Sequence, residues 1–168
     1  MRAAALITVG LWIGLIAASW AMASASFRTV DQLLGPTASP EFQARLAPLP
    51  ADDRRAILRH VAAESNRWMF RAWAVAEMVL AVVLVTTCWS FGPLPRALAL
   101  TAALVLVLQA AGLGPAIQQL GRSIDFVPRP LSPTLGRRFG LLHAGYMGAD
   151  LVKAGLLIAA ATFLARRG

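Results

Sequence analysis

The chain has 168 residues, of which 58% are hydrophobic and 14% are charged, and its mean hydropathy is +0.63. Soluble domains carry about 25% charged residues, and a soluble fold of this size cannot hide so much apolar surface. The composition therefore excludes a disordered chain and argues against a soluble enzyme. It indicates an integral membrane protein in contact with the lipid bilayer.

Basic residues outnumber acidic residues by 16 to 8, and Lys153 is the only lysine. The arginines lie mainly beside apolar runs, so they indicate membrane orientation and contact with anionic lipid, and we expect no nucleic-acid partner. Cys88 is the only cysteine. It therefore forms no internal disulfide, and the CxxC and CxxCH patterns of thiolate metal sites and covalent haem are absent.

The first apolar run covers residues 3–26. Arg2 and the Ala23-Ser24-Ala25 sequence also fit a signal peptide with its cleavage site. The apolar stretch is about twenty residues, longer than the usual core of a signal peptide, so we predict an uncleaved transmembrane helix.

A strip of small residues recurs along this first helix, at Gly10, Gly14, Ala18 and Ala21. Small side chains on one face allow another helix to approach closely. We favour packing inside the chain's own bundle. The alternative is contact with a partner membrane protein or a second copy of the chain.

Residues 28–68 form the soluble-looking connection. Ser39, Pro40 and Glu41 have the N-cap, first-turn proline and acidic residue that open a short helix, and Pro48 ends it. Pro50 opens the next helix, for which we predict residues 51–90. This helix begins in water and enters the membrane near Trp68, so the second span has a helical extension.

The predicted fold is an all-α, four-span membrane bundle that forms one domain over residues 1–168. A tight turn at Gly92–Pro95 follows the second span, and an extended linker over residues 121–135 contains three prolines. The four predicted spans are 3–26, 69–91, 97–117 and 139–164.

The distribution of arginines predicts the orientation. Four flank the side of the two termini: Arg2, Arg96, Arg166 and Arg167. The other eleven lie on the side of the two long connections. The positive-inside rule places those connections, 28–68 and 120–138, in the cytoplasm of a bacterial inner membrane, with both termini outside.

Six of the polar residues within the predicted spans are candidates for a shared site. Ionisable groups at membrane depth cost about 2.5–3.5 kcal/mol each on insertion scales, so they need partners or a function. At about 100° per residue, His143 and Asp150 share one face of the last helix. Tyr146 and Lys153 flank that face on the same side. Our candidates for a ligand or proton site are Glu77, Gln109, His143, Tyr146, Asp150 and Lys153.

These groups converge in depth. Counted from the arginine-rich side at about 1.5 Å per residue, they lie roughly 6 to 16 Å below that surface, with Lys153 about 20 Å deep. One interpretation is a self-satisfied network that fixes the helix register. The other is a site for a small solute, proton or ion that opens to the arginine-rich side.

The sequence contains few features that favour a bound cofactor or an enzymatic site. The only other histidine, His60, lies outside the membrane, which argues against bis-histidine haem. His143 and Asp150 are about 10 Å apart along the helix, too far to share a metal ion easily. No nucleophile elbow, phosphate loop or HExxH is present. We predict no metal, no cofactor and no enzymatic activity.

The segment from Arg137 to Asp150, RRFGLLHAGYMGAD, resembles the final helix of a family of small four-helix membrane proteins related to eukaryotic transmembrane protein 205. In particular, Phe139 and His143 match that family's F-x-x-x-H pattern. The family usually has asparagine or a similar small polar residue at the position of Asp150. The resemblance implies the four-helix architecture and, since the family has no settled activity, implies no function. Two functions follow from the residues: a membrane protein with a polar intramembrane site, or an accessory or scaffold subunit of a membrane complex.

Overall fold

The computed structural model describes residues 1–166, which form helices joined by short connections without a strand in that range. Arg167, which the orientation count includes, lies outside these residues. The helices are α1 (Arg2–Leu34), α2 (Pro40–Leu46), α3 (Ala51–Cys88), α4 (Pro93–Leu108), α5 (Gly114–Ile124) and α6 (Pro133–Arg166). A 3₁₀ turn over Trp89–Phe91 follows α3, and a π-helical turn over Gln109–Leu113 joins α4 to α5.

Four helical segments within residues 1–166 are long and apolar enough to cross a membrane: Arg2–Leu34, Ala51–Phe91, Pro93–Ile124 and Pro133–Arg166. They pack as a closed square, in which α1 contacts α3 and α6, and α4 contacts the same two helices. The prediction of an all-α four-helix membrane bundle is confirmed.

The apolar core lies toward the side of the two termini. Large side chains such as Leu84, Leu157 and Leu164 fill it, while Ala99 and Ala102 allow α4 to approach its neighbours. At that end the Arg2 guanidinium donates to the carbonyl of Ala165 at 2.6 Å, which joins the first and last helices. The other half of the bundle contains the polar side chains.

The helix boundaries follow local signals. The Ser39 hydroxyl accepts a hydrogen bond from the backbone N–H of Phe42 at 3.2 Å, which confirms the predicted cap of α2. Gly92 has φ of 98°, a left-handed conformation that glycine adopts without strain, and it separates α3 from the proline that starts α4. Trp68 and Trp89, near the two ends of the second predicted span, are both exposed, at 68% and 57%.

Two predicted boundaries are wrong. The linker predicted over residues 121–135 does not begin at Gly121, because α5 continues to Ile124 and the first four residues of that range are helical. Pro133 does not lie in the linker either. It starts α6, as a first-turn proline can, because its missing N–H has no helical partner at that position.

The π-helical turn lies directly before Pro115. A proline inside an α-helix removes a hydrogen bond and its ring clashes with the carbonyl four residues earlier. Here the backbone N–H of Gly114 donates to the carbonyl of Gln109, five residues back, so the helix widens just before the proline. The wide turn begins at Gln109, one of the polar residues of the bundle core.

The small-residue strip does not face the bundle. Gly10, Gly14, Ala18 and Ala21 are all exposed, and a Cβ atom added at either glycine would meet nothing within 4 Å. The favoured interpretation, packing inside the chain's own bundle, is therefore wrong. The buried face of α1 instead consists of larger residues, among them Val9, Trp12 and Ile16.

Candidate functional site

A buried ionic cluster lies in the middle of the bundle. Lys153 on α6 is completely buried, and its ammonium group forms ion pairs with Glu77 on α3 and with Asp150 one turn earlier on α6. The distance from Nζ to Oδ1 of Asp150 is 3.0 Å, and Oε2 of Glu77 accepts a hydrogen bond from the same ammonium. Two acidic side chains thus share one lysine.

Gln109 is an uncharged hydrogen-bond donor to this cluster. The amide of Gln109 donates from Nε2 to Oδ1 of Asp150 at 2.8 Å and to the backbone carbonyl of Tyr146 at 3.1 Å. Its Oε1 atom is buried and has no hydrogen-bond partner among residues 1–166. The π-helical turn at this residue therefore presents an amide whose donor is used and whose acceptor is free.

Two tryptophans of α1 complete the cluster, and sequence reasoning missed both. Nε1 of Trp12 donates to Oε2 of Glu77 at 2.9 Å, and Nε1 of Trp20 donates to Oδ2 of Asp150 at 2.8 Å. A signal for them was present, since a buried indole N–H usually needs an acceptor and residues eight apart lie on one face of a helix.

The structure does not bring all six predicted residues together. Glu77, Gln109, Asp150 and Lys153 form the cluster, whereas Tyr146 contributes only its backbone carbonyl, and its ring packs edge-on against Phe70 at 5.8 Å. His143 lies apart from the cluster. It is exposed and stacks on Phe139 at a centroid distance of 6.2 Å. Its predicted place in the same site is therefore wrong.

His143 instead lines a cavity of about 390 Å³ on the arginine-rich side of the bundle. The C-terminal parts of α1 and α5, the first half of α3 and the start of α6 surround this cavity. Glu77, Gln109 and Asp150 are not among the residues that line it. Ser24, which does, lies one helical turn beyond Trp20, and its hydroxyl donates to the Trp20 carbonyl at 2.9 Å. The cavity and the ionic cluster are thus stacked along the bundle, about one to two turns apart.

A second set of ion pairs lies at one wall of the cavity. The buried guanidinium of Arg67 on α3 donates to both oxygens of Asp125 at 2.6 and 2.7 Å, and it also pairs with Glu64. Arg122 bonds Glu64 at 3.3 Å, and His60 lies 2.8 Å from Asp125. These contacts join the N-terminal half of α3 to the end of α5 and the residue that follows it.

Three groups in this wall, on His60, Glu64 and Asp125, are close enough to share a metal ion, since their ligand atoms lie within 4.8 Å of one another. Both carboxylates already bind the Arg67 guanidinium, however. A divalent ion would have to replace that cation or lie beside it, so the side chains as arranged favour an ion-pair network over a metal centre.

Two further arginines line the cavity without an acidic partner of their own. Arg59 on α3 and Arg129 in the last connection form no hydrogen bond or ion pair with any side chain in the range 1–166. Burial lowers the pKa of the Arg129 guanidinium from its ordinary value, the nearby charge of Arg59 lowers it further, and Asp125 opposes both. The cavity therefore contains positive charge that its own walls do not neutralise.

The fold and the cluster define a multi-pass membrane protein with a four-helix bundle and an ionic triad in its core. No family model, curated protein or solved structure matches the chain. The resemblance of the last helix to relatives of transmembrane protein 205 accordingly stays a prediction.

Proposed function

We propose that this chain is a non-enzymatic membrane protein that takes up and releases a proton at the cluster of Glu77, Asp150 and Lys153. The observation that carries the proposal is the sharing of one buried lysine by two buried acids. With all three ionised, the cluster carries one excess negative charge. The groups around it are indole and amide donors without charge.

An excess charge in a membrane core is costly, and one bound proton removes it. Two carboxylates near one another rarely both stay ionised without sufficient cationic partners. A proton is therefore the smallest ligand that balances this cluster, and it needs no cavity. Because Glu77 and Asp150 both pair with Lys153, we assign the proton to the cluster as a whole and not to a single residue.

The amide of Gln109 suits both charge states of Asp150. Its Nε2 donates to the carboxylate, as in the structure. After protonation the carboxyl group becomes a donor, and a rotated amide would offer Oε1 as its acceptor. The free acceptor on Gln109 supports this exchange of roles.

We expect a proton to reach the cluster from the cavity, which lies about one to two helical turns away. Its lining includes exposed residues such as Ser24 and His143, so the cavity opens to the outside of the chain. From there the path to Asp150 passes the indole of Trp20 on α1 and the Phe70–Tyr146 contact between α3 and α6. Based on the arginine distribution, we place this cavity on the cytoplasmic side of a bacterial inner membrane.

Infrared difference spectroscopy tests proton uptake directly. The full chain, reconstituted in lipid, is compared between about pH 8 and about pH 5. We expect a carbonyl band of a protonated, non-aqueous carboxyl group that shifts or disappears in Glu77→Gln and in Asp150→Asn. The matched control is Asp53→Asn, which removes an exposed acid from the same helix as Glu77. A wild-type spectrum without this band, or a band unchanged in both variants, contradicts the proposal.

A second measurement asks whether the proton crosses the membrane. The same proteins are placed in liposomes with a pH-sensitive dye inside, and a potassium diffusion potential drives proton movement. Faster dissipation for the wild type than for Asp150→Asn and protein-free liposomes supports passage. Equal rates, together with the infrared band, restrict the function to proton binding.

A second candidate function is an accessory subunit of a membrane complex. It is favoured by the exposed strip on α1, where glycines lie on a face that the chain itself leaves open. Cross-linking from a cysteine placed at Ala18, in native membranes, tests it. A discrete product that is lost when Gly14 is changed to Leu supports a partner or a second copy, whereas a monomer alone refutes this function.

A further inference from the structure

The cavity on the arginine-rich side is a site in its own right. Three features distinguish it from an ordinary crevice: positive charge without local compensation, a buried amide with unused donors, and an aromatic wall. None of these belongs to the ionic cluster described above, and the inference does not depend on proton binding there.

The charge comes from Arg59 and Arg129. Asp125, the acid among the described residues that line the cavity, is already bound through both oxygens to Arg67 and contacts His60. Neither Arg59 nor Arg129 has a hydrogen-bonded partner in the described part of the chain. Two guanidinium groups of like charge near one cavity repel each other, and an anion between them would remove that repulsion.

The buried amide belongs to Asn66, which is 7% exposed and lines the cavity. Its Oδ1 accepts a hydrogen bond from the hydroxyl of Ser26 at 2.8 Å. Its Nδ2 atom donates to no residue in the range 1–166 and, because the side chain lines the cavity, is open to it. The two N–H donors therefore suit an acceptor inside the cavity.

The aromatic wall consists of Phe27, Phe70 and Phe139 from three different helices. An inorganic ion would make no use of this surface. An amphiphile, with an anionic group near the arginines and an apolar part against the rings, would use both halves of the cavity.

We infer that the cavity binds a phosphate-bearing anion, held by the guanidinium groups of Arg59 and Arg129 and the amide of Asn66. Arginine suits phosphate because its planar group can donate two parallel hydrogen bonds to two phosphate oxygens. The phosphate can come from an anionic phospholipid headgroup or from a soluble phosphate ester. The position of the cavity near the membrane surface and its aromatic wall favour the lipid.

The experiment uses the detergent-solubilised full chain and native mass spectrometry. The protein is incubated with equimolar phosphatidylglycerol and phosphatidylcholine of identical acyl chains, and retained lipid is counted. A separate calorimetric titration uses glycerol 3-phosphate. The test variant is Arg59→Gln with Arg129→Gln. The matched control is Arg137→Gln with Arg138→Gln, which removes two exposed arginines from the same side that do not line the cavity.

We expect the wild type and the control to retain the anionic lipid preferentially. The affinity of the test variant for this lipid should be lower by about tenfold or more. Asn66→Leu should weaken binding as well, while Asn66→Ser, which keeps a donor, should weaken it less. Binding of glycerol 3-phosphate with the same dependence on Arg59 and Arg129, without lipid preference, assigns the site to a soluble phosphate ester. If neither probe binds, or if both double variants lose binding equally, the inference is wrong.

Discussion

Replacement of Lys153 by Met tests the balance of charge in the core most directly. Methionine keeps the length and much of the volume of the side chain but removes the cation from two buried acids. At the 3.0 Å distance between Nζ and Asp150, the attraction is about 5 kcal/mol at an effective dielectric constant of about 20. Part of this is offset because the buried ammonium no longer has to be desolvated.

The free energy of unfolding should fall by about 3–5 kcal/mol, which is typical when one partner of a buried ion pair is removed. For a chain of this length, this corresponds to a fall in melting temperature on the order of 10 °C. The assay is thermal unfolding in mild detergent, followed by size-exclusion chromatography of the heated samples with tryptophan fluorescence detection.

Removal of the two acids should restore most of the lost stability. When Glu77→Gln and Asp150→Asn are added to Lys153→Met, no charge remains in the cluster, and the loss should shrink to below about 2 kcal/mol. Acidification should narrow the gap between Lys153→Met and the wild type in the same way, since protonated carboxyl groups need no cation. A Lys153→Met protein as stable as the wild type near neutral pH, or a triple variant no better than the single one, would refute the argument.

Three further predictions use the same unfolding assay. Trp12→Phe should cost about 1–3 kcal/mol, because it removes the indole donor to Glu77 and leaves a buried acceptor short of one bond; a cost below the error of the assay would count against the cluster geometry. Asp125→Ala should cost about 3 kcal/mol, because it leaves the buried Arg67 with one acid only, and Asp31→Asn, at an exposed pair, is its near-neutral control. Gly14→Leu should change stability by no more than about 0.5 kcal/mol, because a Cβ at that position meets nothing within 4 Å; a large loss would mean that the strip is covered by another part of the chain.

Hydropathy and helix signals sufficed for the architecture, because the bilayer leaves few alternatives. A chain with four long apolar runs has to satisfy its backbone within helices, and short connections force the helices to alternate in direction. Local chemistry also placed the cap at Ser39 and the start of α3 after Pro50. The linker was predicted to begin too early because the small polar residues near Gly121 resemble a linker, although they lie on α5.

The site was only half predictable, for a geometric reason. Periodicity correctly gives the face of a helix, and His143 and Asp150 do share one face at seven residues apart. It does not give the neighbour at each level of the bundle. The side chain of Asp150 contacts Gln109 and Trp20 on neighbouring helices. The side chain of His143, one to two turns nearer the surface on the same face, lines the cavity instead.

The acidic and basic groups were identifiable as costly, but their uncharged partners were not. Tryptophan in a transmembrane run counts as an apolar residue or an interface anchor, so hydropathy conceals its donor. The buried acids should have prompted a search for donors on every helix, including the first.

The polar residues of this bundle form two layers with opposite imbalances. The inner layer has two acids and one lysine, and the outer cavity has two arginines without an acid of their own. A self-satisfied network that only fixed helix register would pair each charge within its layer, as Arg67 and its partners do. The inner layer consists of buried side chains, among which a proton is the smallest possible counterion, whereas the outer layer has a cavity of about 390 Å³ for an anion. Because the two imbalances lie within about two helical turns of each other, the positive cavity also lowers the energetic cost of the negative cluster, and an anion bound there would favour protonation of the cluster. The infrared band of the protonated carboxyl group should therefore appear at a higher pH when anionic lipid is present, and this dependence should be lost in the Arg59→Gln, Arg129→Gln variant.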